Sequence, residues 1–339
     1  MNNSGRMTLA FVHETSSSWI LQDLTLLRQF ANVDDVAYED VLQSFRIFKA
    51  VRKASCVVVW GAAGQAFSIA TFFGILFRKR IVVLVNGSEV SSRQAQAHST
   101  LRASTRFAAS RLLLSHVDVI VFPSVFSRRE LESHTRPKRA EVLRHGIDTE
   151  YFTLSQGVRN LIVTVCSSDI TRKGVDRFLE LAKLLPHQQF ALVGRACYEP
   201  SIRSKCPLNV DLVGEVSRDE VLSVYHRARY YCQLSRHEGF GIALAESMSC
   251  GCIPVVSDAG ALPSVVGECG FVVQNGEPSK AADIIEANWS SRSDLGRLAA
   301  ARIRASFSLE SRANQLNRII SEATALPLSR PDLGNAIGC

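Results

Sequence analysis

The sequence predicts an α/β protein of two domains, each a parallel sheet covered by helices; two such sheets, if they face each other, would enclose a cleft. Three observations carry this. Runs at 56–60, 81–85, 161–166 and 253–256, apolar except for Thr164, mark strands buried on both faces. Helical stretches alternate with these runs, the order of a parallel sheet with crossover helices. The strand pattern restarts after a polar stretch at 153–160, so the 339 residues divide into two units. The expected division is a first domain at 1–153, a second at 154–307, an amphipathic helix at 308–322 and a frayed tail at 323–339.

The elements follow in order. Residues 7–13 read as a strand and 19–30 as a helix, with Trp19, Leu24, Leu27 and Phe30 at helical spacing. The strand 56–60 runs into Gly61-Ala62-Ala63-Gly64 and a helix at 66–77, the most apolar stretch. That stretch is too short to span a bilayer and ends in Arg78-Lys79-Arg80, so it reads as a buried crossover helix. Strands follow at 81–85, stopped by Asn86-Gly87, and at 118–122, stopped by Pro123. In the second half, strands at 161–166, 190–193, 210–213, 230–233, 253–256 and 270–273 alternate with helices at 175–185, 219–227, 242–250 and 279–289.

Composition fits a globular protein with ample core material. The formal charge of +7 favours an anionic partner. Residues 78–144 hold thirteen basic and five acidic residues, and 90–117 hold no acid. That excess fits a solvated face, a surface lying on anionic lipid, or a hold on a phosphorylated acceptor. No recognition motif or aromatic interleaving points to nucleic acid. The nine cysteines lack zinc spacing and read as reduced thiols. No secretory signal is visible, and the expected location is cytoplasmic, with a peripheral membrane position open.

Chemistry concentrates at 235–257. Glu238 precedes Gly239-Phe240-Gly241, a helix begins at Ile242, and Glu246 lies eight residues beyond Glu238. A helix start leaves N–H groups free to meet a phosphate. Glu246, one turn into that helix, can accept two hydroxyl hydrogen bonds, so the parts fit a sugar nucleotide. Arg172-Lys173-Gly174 opens the helix at 175. Two cations at a helix start are unfavourable unless an anion sits there, so they are candidates to hold a diphosphate. Ligands in open parallel sheets collect beyond the carboxyl ends of strands, which adds the stretches 13–18, 86–89, 167–174, 194–195 and 214–216. No Asp-x-Asp follows a strand, so neither metal nor other cofactor is expected.

These residues resemble the retaining GT-B glycosyltransferases of family 4. The resemblance rests on 118–128, on His145-Gly146-Ile147-Asp148 with 149–152, on Arg172 to Asp176, and on the Glu-x7-Glu spacing of Glu238 and Glu246. It implies two Rossmann-like domains and a last helix crossing back to the first. It implies that Arg172 and Lys173 grip the donor diphosphate, Glu246 binds the ribose, and Glu238 meets the donor sugar. Phe240, Gly241 and Ile242 would contact sugar and phosphate, and Gly214 and Val216, with Gly194, would edge the nucleotide. The implied partners are a nucleotide sugar and a glycan or lipid-linked acceptor. Departures fall on the acceptor side. The loop after the first strand is Glu14-Thr15-Ser16-Ser17-Ser18 instead of a Gly-Gly loop, and Asn86 stands where a histidine is common. Thr15, Ser16, Asn86 and Glu89 are the acceptor-side candidates. His145 replaces a commoner asparagine and reads as a structural turn residue. A paired-carboxylate glycosidase would leave Arg172 and Lys173 without a task. A non-catalytic sugar-nucleotide-binding subunit is the alternative that the departures keep open.

Overall fold

The computed structural model describes residues 6–14, 17–85, 113–133, 136–155, 157–167, 169–290 and 294–325. They form two six-stranded sheets. The first contains β1 (Thr8–His13), β2 (Asn32–Ala37), β3 (Cys56–Trp60), β4 (Arg80–Leu84), β5 (Val119–Phe122) and β6 (Ala140–Val142), in the order β2-β1-β3-β4-β5-β6. The second contains β7 (Leu161–Val165), β8 (Gln189–Val193), β9 (Val210–Gly214), β10 (Ala228–Gln233), β11 (Ile253–Ser257) and β12 (Phe271–Val273), in the order β12-β11-β10-β7-β8-β9. Every pairing is parallel. The α/β class and the paired parallel sheets are as the sequence predicts.

The runs that read most clearly are the central strands, because both faces are covered. β3 is buried throughout, its Val57 and Val59 facing one core and its Cys56 and Val58 the other. The elements that the sequence reading passed over are β2, β6 and the helices Ser44–Lys53, Val125–Glu132, Leu262–Val266 and Leu295–Ser306, apart from the shortest helical turns. β2 and β6 are edge strands with one partner each. β2 carries Asp34 and Asp35, and β6 has only three residues, so neither shows an apolar run. The helix Ser44–Lys53 buries only Ile47, Ala50 and Val51.

The last helix, Leu309–Ala325, lays Leu316, Ile319, Ile320 and Ala323 on the face of the first sheet that also holds Leu9 and Phe11. It continues through residues 323–325, which the sequence reading assigned to the tail. A buried ion pair fixes it there. Arg312 donates to both carboxylate oxygens of Asp23, each at 2.6 Å, and Trp60 Nε1 donates to Asp23 at 2.9 Å. Arg312 also donates to the carbonyls of Leu143 and Arg144, so the helix clamps the chain where it leaves the first sheet. Ile147 N–H then donates to Phe307 O at 2.7 Å, tying the two crossing segments together. Among the described residues, no helix is long and apolar enough to cross a membrane.

Candidate active site

The site forms where loops leave the carboxyl ends of the strands. After β7 the chain turns through 169–174. Asp169 caps the turn, accepting from Arg172 N at 3.1 Å and from Arg172 Nε at 2.9 Å. Gly174 sits at φ 70°, and a Cβ there would stand 2.1 Å from the carbonyl oxygen of Leu234. Only glycine lets the turn press against the end of β10 in this way. The result puts Lys173 Nζ 2.5 Å from Glu238 Oε2. Gln233, the last residue of β10, donates to the same oxygen at 2.6 Å. The Glu238 backbone is held as well: Ala261 N–H donates to its carbonyl at 2.9 Å, and a Cβ on Gly260 would come within 2.1 Å of that oxygen.

Three residues on, Gly241 adopts φ 96° and starts the helix Ile242–Ser249 with no side-chain cap. The first-turn N–H groups therefore face the hollow beside Lys173 with no intrahelical partner. Glu246 stands one turn in. Burial pushes its carboxyl up to about 7, against the pull of Arg218. Among the described residues, no donor hydrogen-bonds this carboxylate. Arg218 is itself held over the Tyr151 ring at 4.0 Å and against Asp148 at 3.5 Å.

Two adjoining hollows, of about 400 and 540 Å³, meet at Glu246 and Ile242. Ser18, Trp19 and His145 of the first half line both, so the site lies between the sheets. Arg172, Lys173, Glu238, Phe240, Gly241, Ile242 and Glu246 all line the smaller hollow, and Val216 lines the larger. Gly194 and Gly214 line neither. They shape the neighbouring loops: Gly194 N–H donates to Gly214 O, and a Cβ on Gly194 would come 2.4 Å from Cys166 O. Phe240 is a core side chain whose ring packs between His145 and Phe307 at 5.2 and 5.7 Å. His145 is buried beside it. Desolvation and the Arg312 charge press its pKa down to about 3, so it is a neutral wall of the cleft at ordinary pH.

The acceptor-side candidates Thr15, Ser16, Asn86 and Glu89 lie outside the described residues. Their neighbour Glu14 has turned aside: its Oε1 accepts from Ala66 N at 2.9 Å, at the start of the helix Gln65–Leu76. The sequence reading missed Gln233, Arg218 and the pocket face of Trp19. Gln233 carried a signal, since it is a glutamine ending an apolar strand, and a buried amide needs a partner. Trp19 gave none, because its spacing fits a core residue equally well.

Residues 154–302 match the model of the family described as glycosyl transferases group 1. Among curated proteins, the chain is 31% identical over 174 residues to the MMP alpha-(1->4)-mannosyltransferase of Mycolicibacterium hassiacum, covering 48% of this chain and 42% of that protein. It is 28% identical over 170 residues to the GDP-mannose:cellobiosyl-diphosphopolyprenol alpha-mannosyltransferase of Xanthomonas campestris, covering 44% and 43%. These matches span less than half the length of either relative. Among solved structures, HepE of Anabaena in complex with UDP and glucose superposes with a TM-score of 0.77 at 15% identity, over 93% of this chain and all of that one. Sucrose-phosphate synthase from Thermosynechococcus elongatus gives 0.74 at 16% identity, over 94% and 99%. With its two facing parallel sheets, the chain has the GT-B architecture, and within it residues 154–302 are similar to the glycosyl transferases group 1 family.

Proposed function

We propose that the protein is a retaining hexosyltransferase that moves a sugar from a nucleoside-diphosphate sugar to a hydroxyl acceptor without a metal. One observation carries the reading. An open helix start, the Lys173–Glu238 pair and an unpartnered Glu246 carboxylate converge on one hollow between the sheets. The donor diphosphate sits against the first-turn N–H groups of Ile242–Ser249, with Lys173 and Arg172 beside it. Glu246 accepts the ribose hydroxyls. Glu238 accepts hydroxyls of the donor sugar, and the arriving phosphate shares Lys173 with it.

In the transfer, the acceptor oxygen bonds to the anomeric carbon on the face from which the diphosphate departs. The sugar–phosphate bond breaks, and the acceptor proton passes to the departing phosphate oxygen. The protein's part is to position both substrates and to stabilise the charge growing on the diphosphate through Lys173, Arg172 and backbone donors. In this reading the fixed cations supply the charge that a metal ion could otherwise supply. The acceptor is a glycan or a lipid-linked sugar. The basic excess of 78–144 supports an anionic acceptor, and so does the polyprenol diphosphate in the name of the Xanthomonas relative. Such a reaction fits an enzyme of the cytoplasm, or one peripheral to the inner face of a membrane.

The test is a panel of UDP-, GDP- and ADP-sugars with and without EDTA, read first by thermal shift and then by labelled-sugar transfer or donor hydrolysis. The reading expects one base to raise the melting temperature and turnover to survive EDTA with the anomeric configuration kept. Binding without any turnover would instead support the non-catalytic subunit, and turnover abolished by EDTA would remove the metal-free mechanism.

A further inference from the structure

The first domain carries an exposed apolar face remote in chemistry from the cleft. The turn Val41–Gln43 and the helix Ser44–Lys53 leave Val41, Leu42 and Phe45 exposed at 72%, 84% and 60%. The neighbouring helix Gln65–Leu76 leaves Phe72 and Leu76 each 58% exposed, with Ile75 beside them. The two groups form one surface. Phe45 stacks on Phe48 at 6.0 Å, Phe48 meets Phe73 edge-on at 5.4 Å, and Phe73 meets Phe72 at 5.5 Å. A ladder of rings thus joins the exposed Phe45 to the exposed Phe72. A cluster of large apolar side chains left in water on packed helices marks an interaction site.

Charge identifies what it meets. From Val41 to Arg80 there is no acidic residue, and there are seven basic ones: Arg46, Lys49, Arg52, Lys53, Arg78, Lys79 and Arg80. Arg80 is buried in an ion pair with Asp118 at 2.7 Å, but Arg46, Lys49, Arg52, Lys53 and Arg78 are exposed. Lys49 Nζ lies 4.4 Å from the centre of the Phe45 ring, so cation and ring share one face. The nearest acids in sequence, Glu39 and Asp40, precede the stretch, and Asp40 is engaged in capping Leu42 N–H at 2.8 Å. Exposed apolar side chains on a stretch rich in cations and free of acids suit the boundary between headgroups and acyl chains of an anionic bilayer.

We propose that this face, formed by the turn Val41–Gln43 and the helices Ser44–Lys53 and Gln65–Leu76, docks the first domain on an anionic lipid surface. The apolar side chains enter the interface, and the lysines and arginines stand at headgroup level. The location differs from the segment 78–144, which the sequence singles out by charge alone. It overlaps it only at Arg78, Lys79 and Arg80. The proposal does not rest on the transferase reading, because docking is read without donor or acceptor.

The experiment is cosedimentation of the full chain with vesicles of phosphatidylcholine alone or mixed with phosphatidylglycerol. Two variants accompany it, L42S/F45S/F72S and K49E/R52E, with light scattering of each protein free of lipid. All five positions are exposed, so unchanged melting temperatures will show that the variants fold. The proposal expects at least about tenfold stronger binding to the mixed vesicles. It expects the serine variant to lose binding to both, and the glutamate variant to lose the preference for phosphatidylglycerol. Three results would overturn it. Wild-type protein that binds neither vesicle means that the face does not meet lipid. Variants that bind like wild type put the contact elsewhere. A wild-type dimer that the serine variant dissociates makes the face a contact between copies.

Discussion

At the scale of single residues, the site depends on how each charge is held before a ligand arrives. Glu246 is the clearest case. Its carboxyl is pushed up to about 7 from 4.5 by burial. The fold therefore favours the protonated form, and this group makes the folded chain more stable as pH falls from 7 toward 4.5. Binding two hydroxyls favours the ionised form. Affinity for a nucleoside-diphosphate sugar should fall as pH drops through about 7, and E246Q should bind more weakly but without that slope. Isothermal titration from pH 6 to pH 8 checks this, and an unaltered slope in E246Q would remove Glu246 from the ribose role. His145 works in the opposite sense. Its pKa of about 3 in the fold against 6.5 means that stability falls as pH drops from 6.5 toward 3. H145N should lessen that acid sensitivity, as read by melting temperature against pH. Lys173 is held by Glu238 rather than left open. K173A should cost about a hundredfold in turnover with a measurable loss of donor affinity, whereas E238A should lower turnover and leave affinity near wild type.

At the scale of elements, two glycines set the site's geometry as firmly as its charged residues. G174A would place a Cβ 2.1 Å from Leu234 O on a backbone at φ 70°. The turn at 169–174 would move and carry Lys173 away from Glu238. The expected outcome is a donor-binding loss comparable to K173A with a modest fall in melting temperature. Binding unchanged in G174A would show that the turn is not what positions the cation. This is also the scale at which the sequence was most and least legible. The central strands and the helix after Gly241 were readable because burial on both faces and a positive-φ glycine leave direct marks. β2 and β6 were not, because edge strands are half exposed, and Asp34-Asp35 breaks the apolar run. The charged part of the site was legible as a set of residues. Its geometry was not, since the approach of Lys173 to Glu238 crosses 65 positions of sequence and depends on Gln233.

For the whole molecule, the last helix decides whether the two halves stay together. It crosses from the second half to the first, where it makes the buried Arg312–Asp23 pair and, further along, meets Arg139 through Glu322. R312A would leave Asp23 charged, buried and deprived of its main partner. The expected cost is about 3–5 kcal/mol, read as a fall in the urea midpoint. R312A should also weaken donor binding through the loosened cleft, although residue 312 touches neither hollow. A midpoint within error of wild type would show that packing of Leu316, Ile319 and Ile320 suffices to hold the helix.

The central claim is that the hollow joining Lys173, Glu238 and Glu246 receives a nucleoside-diphosphate sugar. The most direct measurement is the melting temperature of the wild-type chain, K173A and E246Q against UDP-, GDP- and ADP-sugars. The account predicts that one base raises the wild-type melting temperature in a concentration-dependent way and that both variants blunt the shift. No shift with any nucleotide sugar, or an equal shift in all three proteins, would contradict it.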